Sequence, residues 1–197
     1  MFAFTCAKKR WVLAAALGPL AVLLAASLLL DTRVRAHDED DNDGGEASRI
    51  RQGLAISPLP MNLHGKNPAL VGLGSYLVNA VSECGDCHTK VPAYLPGGNP
   101  FLGQPEQINP AIYLRGGRPF PAVDPTGVEN PIVSRPLRPE NGLPAGLTLD
   151  EFVDAMRNGT DYDHPGRLLQ VMPWPIFQNM TDRDLLAIYE YLGALPP

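Results

Sequence analysis

Cys84-Gly85-Asp86-Cys87-His88 sets two thiols three residues apart, with an imidazole directly after the second. Thiols at that spacing lie on one helical turn and can reach the two vinyl groups of a porphyrin as thioethers. The adjacent imidazole then falls beneath the iron. Cys84 and Cys87 are therefore the candidate attachment points of one covalent haem c, and His88 is the proximal iron ligand. Three other uses of such a pair lack a partner feature. A thiol-redox pair wants a preceding strand in a βαβ setting, whereas the apolar pattern before Cys84 is helical. A zinc site needs two further ligands, and beyond residue 36 the chain offers no other cysteine and only His37, His64 and His164 besides His88. A plain disulfide leaves His88 unexplained.

The sixth position at the iron separates an electron carrier from a binding site. A methionine thioether favours reduced iron, raises the potential and closes the site to outside ligands. Met172 stands in Met172-Pro173-Trp174-Pro175 between two helical patterns, where Pro173 stiffens the backbone that presents the sulfur. Met156 belongs to a helical apolar stripe, Met180 immediately precedes a helix cap, and Met61 lies in a Pro-containing lead-in. Each fits packing better than ligation. His164, beside Pro165-Gly166, is the rival ligand.

The elements that must position these groups are helices joined by long irregular segments. Leu70, Leu73, Leu77 and Val81 recur at helical spacing after Asn67-Pro68, a cap followed by a first-turn proline, and this helix is expected to run straight into Cys84. Prolines and glycines recur every few residues from Val91 to Leu147 and forbid long helices or sustained strands. So long a loop is unusual in a compact domain unless something other than regular packing orders it, and a large buried cofactor would do so. Thr148-Leu149-Asp150-Glu151 has the capping-box form and opens a helix stopped at Asn158-Gly159. After a second irregular stretch, Thr181 and Asp184 cap a last helix with an apolar stripe of Leu185, Ile188, Tyr189 and Leu192, ended by Gly193 and Pro196-Pro197.

The chain of 197 residues has room for one ordinary domain. Lys8, Lys9 and Arg10 precede an uncharged apolar run from Trp11 to Leu30, and Val34-Arg35-Ala36 follows as a cleavage site, so residues 1–36 read as a Sec-type signal peptide. The alternative is an uncleaved anchor, since twenty uncharged residues can just span a hydrocarbon core. Either route delivers the remainder to the periplasm, and membrane association is expected only if the segment stays. Cleavage removes five of the 16 basic residues and one of the 21 acidic ones and leaves a charge of −9. Asp38, Glu39, Asp40, Asp41, Asp43 and Glu46 make residues 37–67 an acidic, largely disordered lead-in to a working domain at 68–197. That domain has no basic run suited to nucleic acid.

The attachment motif, Arg157-Asn158-Gly159-Thr160, Met172-Pro173-Trp174-Pro175, Thr181-Asp182-Arg183-Asp184-Leu185 and Tyr189-Glu190-Tyr191-Leu192 together resemble class I c-type cytochromes. The resemblance covers about Pro68 to Pro197 and is nearest to the cytochrome modules of bacterial alcohol and sugar dehydrogenase cytochrome subunits. It implies an all-α cytochrome c fold of three to five helices around one covalent haem, here with a long Pro/Gly-rich loop insertion. The first and last helices would cross near the haem edge, with His88 and Met172 on opposite faces. It further implies that Tyr113 to Gly117 and Ser134 to Glu140 wrap the haem. Relatives tend to read Ser-Pro-Asn-Leu-Thr-Pro-Asp at the second of these, so Pro136 and Arg138 stand where the relatives carry Asn and Thr. A buried propionate needs a compensating charge, which makes Arg138 or Arg115 an expected partner, with simple solvation the alternative for either. Trp174, Tyr189 and Tyr191 are expected to pack against haem, with an electron-path role as the alternative.

The expected function is single-electron transfer between a donor, a dehydrogenase in the first instance, and a respiratory acceptor such as an oxidase or another cytochrome. In that role the chain is a carrier or an electron-transfer subunit and transforms no substrate. The competing function is a haem enzyme or gas-binding haem sensor with a labile sixth ligand.

Overall fold

The computed structural model describes residues 44–121 and 132–197. The expected signal segment and the acidic residues 37–43 lie outside them. Helix α1 covers residues 44–56, α2 Pro68–Tyr76, α3 Cys84–His88, α4 Leu149–Asn158, α5 Trp174–Phe177 and α6 Asp182–Ala194. The described chain is helix-rich, and its two-stranded sheet is small: β1, Pro119–Phe120, pairs antiparallel with β2, Ile132–Val133. Among the described residues no helix is long and apolar enough to cross a membrane.

The frame is built on α2, and glycine decides how closely its neighbours approach. A Cβ at Gly74 would sit 1.9 Å from the Ala187 carbonyl oxygen and 2.8 Å from Tyr191 Cβ, so α6 rests directly on the α2 backbone. A Cβ at Gly53 would likewise come within 1.9 Å of the Gly72 carbonyl oxygen, and the Ser75 hydroxyl donates to the Gly53 carbonyl at 2.6 Å. Helix α1 thus packs on α2 inside the stretch expected to be a disordered lead-in. Ile50 and Leu54, one turn apart, give that stretch an apolar face, which the acidic composition around it obscured.

Val71, Leu185, Ile188, Tyr191 and Leu192 are almost completely buried between α2 and α6. Each such side chain contributes about 1.5–3 kcal/mol relative to exposure. Tyr113, Leu114 and Leu147 from the irregular stretch join the same core with Phe152 and Met156 of α4. The two long helices start where the sequence places them. The Thr148 hydroxyl and the Glu151 carboxylate cap α4 reciprocally, and Thr181 with Asp184 does the same for α6.

The helix expected to run unbroken into Cys84 does not. It widens into a π-helical turn at Leu77–Val81, and Glu83 then adopts a left-handed conformation with φ 51° before α3 begins. The Cys84–His88 turn is therefore a separate short helix. Helical periodicity carries no sign of such a break, because the apolar spacing continues through it.

Candidate functional site

Helix α3 is short, and chain from the irregular stretch holds it. The Gly116 amide donates to the His88 carbonyl at 2.6 Å, and the Leu114 amide donates to Thr89 Oγ1 at 3.0 Å. Gly116, with φ 64°, leaves no room for a side chain, since a Cβ there would lie 2.5 Å from the Ser134 carbonyl oxygen. The segment after β2 therefore runs directly against α3. It puts the Arg135 carbonyl 2.8 Å from Nδ1 of His88.

That contact fixes the chemistry of the ring. A carbonyl oxygen only accepts, so Nδ1 carries the proton and Nε2 keeps its lone pair for a metal. Burial holds His88 below its ordinary value. The bond to the Arg135 carbonyl opposes this and the Arg135 charge reinforces it. A neutral, oriented imidazole is what an iron ligand requires.

Cys84, Cys87 and His88 line one cavity of about 550 Å³, within the range of cofactor sites. The sulfurs are not bonded to each other. Burial pushes the Cys84 thiol up to about 12, the reverse of the activated thiolate that a thiol-redox pair needs. Among the described residues no three His, Cys, Asp or Glu side chains converge as metal ligands, so the donor set of a zinc site is not assembled around the pair. A buried imidazole with a free Nε2, two sulfurs on the same turn and a largely apolar cavity above them fit a covalent haem.

Met172 lines the same cavity and is half-buried, and so do the buried Met156 and the exposed His164. Met61 and Met180 pack on the core and do not line the cavity. His164 Nδ1 lies 3.1 Å from the Asp161 carboxylate. The segment carrying Met172 is anchored at both ends. The Leu169 amide donates to the Gly159 carbonyl at 2.7 Å, and the Trp174 indole N–H donates to the Leu169 carbonyl at 3.1 Å.

The remaining expected contacts are placed differently. Trp174 does not line the cavity; its ring covers Gly159, where a Cβ would come within 2.4 Å of it. Tyr189 donates to the Leu147 carbonyl, and the Tyr191 hydroxyl lies 3.1 Å from that of Tyr113, both in the helical core. Arg115 donates to the Pro197 carbonyl. Arg138 is buried, with Nε donating to the Tyr113 carbonyl at 2.7 Å and a terminal nitrogen to that of Pro110. Both arginines brace backbone instead of facing the cavity. The arginines that do line it are Arg135 and Arg167. Arg135 lies three residues before Arg138 in Ser134 to Glu140, the stretch in which a cavity-facing arginine is expected.

No family model matches the chain. It is similar to a cytochrome c subunit. The gluconate 2-dehydrogenase cytochrome c subunit of Pantoea cypripedii is 29% identical to it over 133 residues, which is 66% of this chain. The chain spans 24% of that subunit's length.

Proposed function

We propose that the chain is a periplasmic, mono-haem c-type cytochrome that serves as the electron-transfer partner of a dehydrogenase. The observation that carries this reading is the bond from His88 Nδ1 to the Arg135 carbonyl, made beside two unpaired cysteines at the base of one cavity. Similarity to a dehydrogenase cytochrome subunit supports the choice of partner class.

Cys84 and Cys87 would hold the haem as thioethers, His88 would ligate iron through Nε2, and Met172 through its sulfur. Bound haem supplies a one-electron ferrous–ferric couple. The chain's own work is to keep His88 neutral and oriented, to present Met172 from an anchored segment, and to line the cavity with apolar walls that exclude water.

A haem stain on a denaturing gel tests attachment, since thioether-bound haem survives denaturation; a negative stain for the intact chain ends the proposal. Met172→Ala tests the carrier role. Wild type is expected to be low-spin and six-coordinate in the ferric state, and the variant to gain a high-spin signal. His164 lines the same cavity and is the group through which a labile-ligand enzyme or sensor would work. A native spectrum already high-spin and unmoved by Met172→Ala would establish that second reading.

A further inference from the structure

Arg135 contributes two atoms to the site from one residue. Its main-chain oxygen accepts from His88, and its side chain lines the cavity with only 25% of its surface exposed. Among the described residues the ionic partner of that guanidinium is Asp163, at 3.4 Å. Such a distance exceeds the 2.7–2.9 Å of a charge-assisted hydrogen bond, and a guanidinium carries five N–H donors. Among the described residues no hydrogen bond occupies those donors, and the guanidinium lines the cavity.

Haem brings two propionate carboxylates, and burying one without a partner is costly. Arg115 and Arg138 are turned onto backbone carbonyls, and Arg167 is exposed. We propose that Arg135 is the positioning residue of this site, its carbonyl fixing the His88 ring while its guanidinium compensates a haem carboxylate. The inference rests on the haem reading above and deepens it. One residue then ties ligand orientation to the charge of the cavity wall. A neutral side chain at 135 keeps the carbonyl and removes the charge, so the two roles can be separated.

The test is the reduction potential of the purified haem-loaded protein, read alongside its ferric spectrum. Oxidised iron carries one more positive charge than reduced iron, so loss of a cation beside it favours oxidation. Arg135→Gln is expected to lower the reduced-to-oxidised ratio at fixed ambient potential about tenfold, 59 mV for a one-electron couple, with the low-spin spectrum kept. Arg135→Lys is expected to restore most of that ratio. Arg115→Gln removes the same charge away from the cavity and is expected to shift it much less. A wild-type potential in a low-spin Arg135→Gln protein overturns the proposal, as does an equal shift in Arg115→Gln. If Arg135→Gln carries no haem, Asp163→Asn decides. Releasing the guanidinium from its competing acid should raise the potential, and an unchanged value overturns the assignment. The haem stain of the wild-type chain is independent of these outcomes, and its failure would instead remove the functional reading itself.

Discussion

The crossing of α2 and α6 and the segment from Gly159 to Pro173 are held in opposite ways. At the crossing, Gly74 lets two backbones meet and the flanking side chains are almost fully buried. In the segment, residues 162–168 are exposed, and order comes from a net of main-chain bonds: Asp161 N–H to Arg167 C=O, His164 N–H to Asp161 C=O and Arg167 N–H to His164 C=O. A packed crossing stands on its own hydrophobic burial. A hydrogen-bonded strap over a cavity gains little net stability from its bonds and depends on what fills the cavity. The frame should therefore respond to volume, and the strap to backbone conformation and bound cofactor.

Two glycine substitutions separate these responses most sharply. Gly74→Val forces carbon into the Ala187 carbonyl and is expected to cost about 3 kcal/mol or more, at or above the upper end for overpacking. Thermal unfolding of the haem-loaded protein would show it as a large fall in Tm or as loss of the fold. Gly166→Ala meets nothing within 4 Å but must hold φ near 86°. Left-handed strain alone predicts about 1–2 kcal/mol. Similar losses at both positions would mean that the crossing and the strap are one packing unit.

Gly159 lies where the two regions meet, and its replacement combines both costs. It ends α4 with φ 70°, and the Trp174 ring covers it. Gly159→Val is expected to displace Trp174 and, through the Trp174 bond to Leu169, to loosen Met172. The readout is a growing high-spin ferric fraction. Trp174→Phe keeps a ring over Gly159 but loses the indole N–H and should cost about 1 kcal/mol. An unchanged spectrum in Gly159→Val would show that Met172 is positioned from its C-terminal side alone.

The same division explains what could be read from the sequence. The starts of α4 and α6 were legible because a cap is a local pattern, and Thr148 to Glu151 and Thr181 to Asp184 form as spaced, whereas Gly193, expected to stop the last helix, lies inside it. The turn from Cys84 to His88 was singled out as a candidate because thioether chemistry demands fixed spacing. The placement of Arg115, Arg138 and Trp174 was not, since whether an arginine faces a cavity or a carbonyl depends on residues far along the chain, such as Pro197 for Arg115. The break at Glu83 and helix α1 escaped for a related reason. The apolar period continues through the first, and the second is stabilised by Gly72 and Ser75 of α2 and not by its own acidic surroundings.

The smallest effect expected is at the cap of α4, and it distinguishes local from cooperative stability in the frame. The Glu151 carboxyl is held below its ordinary value by the Thr148 amide first and the Thr148 hydroxyl second. A depressed folded-state value means that the unfolded chain binds more protons below about pH 4.5, so the contribution of Glu151 is present above that pH and lost as pH falls through the lowered value. Thr148→Ala removes the hydroxyl and should cost about 1 kcal/mol at neutral pH. Glu151→Gln keeps the reciprocal bond and should flatten the acid side of the stability curve between the two values. If Thr148→Ala also raised the high-spin fraction, the cap of α4 would be coupled to Met172 through Gly159, and frame and strap would no longer be separable at that end of the cavity.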